Sequence, residues 1–254
     1  MKYGSFPLVV YAILFTPLLI SSLHIAAAQV MTSSNYQIQS DSLNIGGGIS
    51  SSTNYSIEST VGEVGTGDTD SASYSLRAGY QQMQEVYIAM AMSSYSVALS
   101  PSISGLTGGT ANGSTTVTVK TDSLSGYQLT IKAGGSPAMQ KGTDTIADYT
   151  PSGNPDYAFT TGAADSHFGY TPEGADTVQR FLNSGATCNA GSSNDASSCW
   201  DGLSTTAVAI ASATGSNHPT GVDTSIRFRV GVGGSVAQAP GVYTATTTLT
   251  ALPL

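Results

Sequence analysis

Apolar side chains recur at every second position through most of the chain, which is the period of a strand with one buried face. The clearest run is Ile226, Phe228, Val230 and Val232, alternating with Arg227, Arg229 and Gly231. The same spacing links Tyr95/Val97/Leu99, Val117/Val119, Tyr127/Leu129/Ile131, Val208/Ile210 and Tyr243/Ala245/Thr247/Leu249. Lys120, Lys132, Arg227 and Arg229 occupy outward positions of these runs, where charge discourages edge pairing. Turn chemistry separates them at Gly108-Gly109, Asn112-Gly113, Gly134-Gly135, Gly233-Gly234 and Pro240-Gly241. Only Asp176 to Leu182 has room for a helical turn, with Asp176 as its cap. This pattern predicts an all-β chain in which residues 85–254 form a β-sandwich of jelly-roll or Ig-like type.

One segment carries a second expectation. Val86, Ile88, Met90 and Met92 alternate with Tyr87, Ala89 and Ala91, so the segment looks buried on both sides. It serves either as an internal strand paired locally or as a strand donated to a neighbouring subunit.

Upstream, the pattern repeats. Ser34-Asn35-Tyr36-Gln37-Ile38, Thr53-Asn54-Tyr55-Ser56-Ile57 and Ala72-Ser73-Tyr74-Ser75-Leu76 place their tyrosines at a fixed spacing of 19 residues. A fixed period means one supersecondary unit used three times. Within each copy the aromatic and the aliphatic sit two apart, as on the buried face of a strand. Glycines follow at Gly46-Gly47-Gly48 and at Gly62, Gly65 and Gly67, where a turn is expected, with Leu43/Ile45 and Val61/Val64 as return strands. Residues 29–84 are therefore expected to be three small β-hairpins with tyrosines in the core.

The strings Ser34-Asn35-Tyr36, Gly46-Gly47-Gly48, Ser52-Thr53-Asn54-Tyr55, Thr60-Val61-Gly62-Glu63 and Tyr74-Ser75-Leu76-Arg77-Ala78-Gly79-Tyr80 resemble a repeat common near the ends of bacterial secreted and surface proteins. Tyr80 stands where many relatives carry Phe followed by Trp. The resemblance covers about 50 residues and implies surface display and a structural role. It supplies no catalytic residue.

Composition points to the same compartment. Only 9% of the 254 residues are charged, against roughly 25% in an ordinary domain, so hydroxyls rather than charges solvate the surface. Lys2, the apolar stretch Pro7 to Ile20 and Ala26-Ala27-Ala28 form the three parts of a secretory signal in residues 1–28, with cleavage expected between Ala28 and Gln29. The apolar run falls short of the roughly 20 residues that cross a bilayer, so no membrane span is expected in the mature chain. With 8 basic and 16 acidic residues, a net charge of -8, there is no basic stripe for phosphates, and no nucleic-acid partner is expected.

Between 148 and 206 the strand signal fades into a stretch rich in Gly, Asn, Asp and Ser, read as a long insertion. It holds both cysteines, and Cys188 and Cys199 in an exported chain are expected to form a disulfide. Trp200 and Tyr170 are the candidate ligand contacts, Trp200 either plugging the core or offering a stacking surface to a sugar or partner. Asp144, Asp148, Asp156, Asp165, Glu173 and Asp176 are close in sequence, but no Asp-x-Asp-x-Asp-Gly loop is present, so calcium is the weaker reading and a solvated acidic loop the stronger. No other cofactor is expected.

No Gly-x-Ser-x-Gly, His-Glu-x-x-His or phosphate-binding loop occurs, and the carboxylates form no pair that sequence singles out. The chain is not expected to be an enzyme. The expected function is that of a secreted or cell-surface structural or adhesive protein, a subunit of a surface filament or sheath, associating with itself or with other surface proteins. The alternative is a carbohydrate- or ligand-binding module acting on glycans through the 148–206 region.

Overall fold

The computed structural model describes residues 31–32, 37–38, 46–53, 56–62, 67–70, 75–79 and 86–254. The expected signal segment, its expected Ala28-Gln29 cleavage point and Tyr36, Tyr55 and Tyr74 lie outside the described residues. The chain divides into two compact units, residues 1–66 with 78–83, and residues 67–77 with 84–254.

In the first unit, β1 (Met31–Thr32) pairs antiparallel with β2 (Gln37–Ile38), and β3 (Gly46–Ser51) with β4 (Ser56–Val61). A third two-stranded sheet, β5 (Gly67–Asp70) with β6 (Ser75–Ala78), belongs for the most part to the second unit. The second strands begin at Gln37, Ser56 and Ser75, again 19 apart, so each repeat is one hairpin. The turn of the β3/β4 hairpin is not at Gly46-Gly47-Gly48. Gly46, Gly47 and Gly48 lie inside β3, and the chain reverses between Ser51 and Ser56. The connection begins with Ser52 and Thr53, residue types whose side chains hydrogen-bond nearby backbone in turns. The glycines instead keep one face of the hairpin low, with Gly46 opposite Val61 and Ser50 opposite Ile57. That face is open rather than buried: Ile57 is 67% and Val61 54% exposed.

The second unit is the sandwich that the alternation predicted. Its strands are β7 (Ile88–Met92), β8 (Gly109–Thr121), β9 (Tyr127–Ala133), β10 (Met139–Lys141), β11 (Asp144–Asp148), β12 (Ser166–Gly174), β13 (Asp201–Gly202), β14 (Val208–Ala213), β15 (Val222–Val232), β16 (Thr244–Ala245) and β17 (Thr247–Pro253). The larger sheet runs β16-β10-β11-β12-β15-β8-β7, with β13 added to β12, and the smaller runs β14-β9-β17. β15 pairs along its length with β8, from Val222 opposite Val119 to Val232 opposite Gly109. On its other side it pairs with β12 from Ser166 to Gly174. The inward alternation of Val117 and Val119, Phe168 and Tyr170, Ile226, Phe228 and Val230 meets Tyr127, Leu129, Ile131 and Ile210 of the smaller sheet in one buried cluster.

Several local expectations are corrected. Asn112-Gly113 is no turn but lies within β8. A Cβ at Gly113 would stand 2.7 Å from Val97 Cγ1 and 2.8 Å from the Ala98 carbonyl, so the glycine admits a segment crossing close to the strand. That crossing segment, Tyr95 to Leu99, is not a strand. The run from Tyr243 to Leu249 is split between β16 and β17, which join different sheets. Asp176 caps no helix; its carboxylate accepts from the Tyr127 hydroxyl at 2.9 Å, and the 3-10 turn Gln179–Phe181 begins after Val178 without a side-chain cap. β7 is not buried on both faces but is an edge strand paired with β8 in its own chain, with Met90 exposed and Val86 exposed before it. Val86, Ile88, Met90 and Met92 are therefore not free to be donated here.

If this alternation holds the fold, Ile226→Ala should lower unfolding free energy by about 2–5 kcal/mol. Arg227→Ala on the opposite face of β15 should change it by no more than about 0.5 kcal/mol. Urea denaturation of the two variants measures both.

Candidate functional site

The 148–206 stretch is not a structureless insertion. It contains β12, a central strand hidden from sequence by Gly169 and Pro172. Proline is tolerated there because its side of the strand is completed by a side chain. Asn194 accepts the Gly174 amide at 2.8 Å and donates to the Pro172 carbonyl at 3.2 Å, standing in for a neighbouring strand.

The remainder folds onto the outward face of the larger sheet. Gly169 of β12 and Gly231 of β15 lie on that face, and a Cβ at either would come 3.1 Å from the Phe159 ring. Over this glycine floor Tyr149 stacks on Phe159 (centroids 4.5 Å apart), and Phe159 meets Trp200 edge-on at 5.3 Å. The Arg229 guanidinium lies 4.2 Å from the Trp200 ring centroid, and its Nε donates to Asn112 Oδ1 at 2.7 Å. Burial, then neighbouring Arg227, pulls the Arg229 pKa below its ordinary value. Cys188 and Cys199 are bonded, at a Cα separation of 5.5 Å.

Trp200 is fully buried with its indole N–H donating to the Ser197 carbonyl at 3.0 Å, and Tyr170 is fully buried beside Phe181. Neither reaches a surface, so the structure places both candidate ligand contacts in packing roles. Tyr170 sits on the inward set of β12, and Trp200 is covered because the disulfide loop folds back across the sheet. Burial, then the nearby Asp201 charge, raises the Tyr170 phenol far above its usual range. Asp201 itself is paired with Arg180 at 2.5 Å.

The acidic residues disperse. Asp144 pairs with Lys141 at 3.0 Å, Asp148 accepts the Ala138 amide, Asp156 accepts from the Tyr149 hydroxyl and Asp176 from that of Tyr127. Among the described residues no three His, Cys, Asp or Glu side chains gather as a metal site would require.

A groove of about 860 Å³ lies elsewhere, and no single sequence motif announced it. Its floor is the inward face of the larger sheet, including Ala111, Ile146, Phe168, Phe228 and Val230. One wall is Met90 and Met92 of β7 with the segment from Tyr95 to Ile103, and the other is residues 238–247 with Leu249. Tyr95 and Val242 on its rim are 86% and 81% exposed. None of the lining residues carries a charge. The floor residues are themselves buried, so the groove opens to solvent mainly through its rim. The alternation of Tyr95/Val97/Leu99 and Tyr243/Ala245/Thr247/Leu249 marked residues that face it, but periodicity reports which side is apolar and not whether another layer covers it.

Two measurements test the loop. Reduction of the 188–199 bridge should remove about 3 kcal/mol of stability, read by denaturation with and without reductant. Asp195 accepts from the Ser197 and Ser198 hydroxyls, and the Ser197 bond, the largest cause, lowers its pKa below the ordinary 3.8. A depressed carboxyl contributes stability that is present above the unfolded pKa and lost as pH falls through the folded one. Asp195→Asn should flatten the loss of stability below about pH 4. Asp148, raised chiefly by burial, has the opposite sign, and Asp148→Asn should steepen that loss.

Comparison with known protein families, with curated proteins and with solved structures found no match to this chain.

Proposed function

We propose that the protein is a structural subunit of an extracellular surface assembly and that it associates with itself. The observation that carries this reading is an uncharged groove whose rim exposes Tyr95 and Val242. Exposed apolar groups gathered on one rim mark a surface that meets a partner. Ile49, Ile57 and Val61 of the β3/β4 hairpin, each more than half exposed, make the same demand, since an isolated two-stranded hairpin is marginal in water.

The Cys188–Cys199 bridge supports an oxidising, extracellular compartment. The hydroxyl-rich, charge-poor composition suits a protein whose surface is spent on contacts with other β structure. The glycan-binding alternative through 148–206 loses its two named contacts, because Trp200 and Tyr170 are buried.

Mass spectrometry of the exported protein should show a chain beginning at Gln29. Sedimentation velocity over a concentration series, with electron microscopy of the same samples, should show growth into oligomers. A homogeneous monomer at every concentration rejects self-association.

A further inference from the structure

The floor of the groove is buried, but its walls are not. Met92, Val97 and Ile103 on one side and Tyr243, Ala245 and Leu249 on the other are half-buried, packed against the core and lining the groove. The space they border, about 860 Å³, falls within the roughly 300–1,000 Å³ of small-molecule sites, which are apolar with a few polar groups.

The two largest polar side chains of the groove satisfy each other. Gln238 Nε2 donates to the Tyr243 hydroxyl at 2.7 Å and to the Thr145 carbonyl at 3.4 Å, and that hydroxyl donates to the Ala239 carbonyl at 3.0 Å. Ser96, Ser102, Thr244 and Thr246 are exposed, where water serves them. No charged side chain lines the groove. Lys141, beside Gly241, is held by Asp144 at 3.0 Å and donates to the Pro240 carbonyl at 2.8 Å.

We infer that the space between the Met92 and Leu249 walls binds one small, neutral, apolar molecule of the long-chain aliphatic class. A charge taken in there would lose its hydration without gaining a partner, and sugar hydroxyls would be left unpaired against Val97, Ile103 and Leu249. Met90, Met92 and Met139 give the lining the adaptable thioether surface that suits a flexible chain. The net charge of -8 sets the same filter at longer range, opposing the approach of anions and leaving a neutral molecule unaffected. The inference goes beyond the self-association proposed above and does not depend on it, since both walls belong to one chain.

The test uses the full exported chain and the neutral fluorescent probe N-phenyl-1-naphthylamine, whose emission rises in apolar surroundings. Emission should rise and saturate at one probe per chain, also at concentrations where sedimentation shows a monomer. Decanol should displace the probe, and decanoate should require a concentration at least about tenfold higher, because its charge finds no partner there. Ala245→Trp fills the space from a half-exposed wall position and should weaken probe binding by about tenfold or more. Met92→Lys places a cation on the β7 wall and should reverse the order of decanol and decanoate, a change that lost packing would not produce. Ile57→Ser, on the exposed hairpin, should leave binding unchanged.

No saturable rise, or decanoate as effective as decanol against the wild-type chain, overturns the inference, and so does binding undiminished in folded Ala245→Trp. The wild-type displacement series decides by itself if a variant does not fold. A chain that stays monomeric yet binds the probe rejects self-association and keeps the site. Oligomers that bind no probe reject the site and keep self-association.

Discussion

The pairing of β15 on both sides is the constraint on which the second unit depends. Its eleven residues bond to β8 along one edge and to β12 along the other, fixing three strands in a single register. Its alternation then assigns two environments at once. Ile226, Phe228, Val230 and Val232 enter the sandwich core, while Arg229 and Gly231 face the aromatic cluster of Phe159 and Trp200. A slip of one residue would exchange the two sets, driving Arg227 and Arg229 inward and setting Val230 or Val232 where Phe159 requires a glycine. Both layers enforce the same register, so each protects the other.

Legibility followed from how much of each element's information was local. β15 and β9 were plain in the sequence because each buries one face against a continuous core, which imposes period two. β12 was not, because its outward Gly169 must admit Phe159 and its edge at Pro172 and Gly174 is completed by Asn194 from another part of the chain. The same residues that read as loop signals serve close approach. Asn112-Gly113 misled for the same reason, Asn112 accepting from Arg229 and Gly113 admitting Val97. The disulfide was legible because a chain with two cysteines leaves each of them one partner. The burial of Trp200 was not, since it depends on a fold-back that no local pattern records.

The groove was the least legible feature, and the reason is topological. Each strand that borders it shows the alternation of a half-buried element, which β7 and β17 satisfy with one pairing neighbour apiece. Sequence periodicity is identical whether the sheet ends there or continues into another chain. What distinguishes the two cases is the count of strands in each layer, seven in the path of one and three in the other, which emerges only once β10, β11 and β16 join the larger sheet.

That imbalance also bears on how such an edge is kept from indiscriminate pairing. Natural edge strands are commonly guarded by charge, and β17 carries none; its guards are Pro253 at one end and the close approach of β7. Charge is instead placed on the rest of an acidic chain, where it acts at a range of about 8–10 Å in salt solution. Repulsion of that reach opposes contacts made in most orientations, while a charge-free strip is spared it locally. Selectivity then comes from what surrounds the strip rather than from the strip itself. A contact at the rim of the groove would draw its free energy from apolar burial, and because apolar hydration makes that burial weaker on cooling, association there should be an entropy-driven process that strengthens with temperature below the unfolding transition.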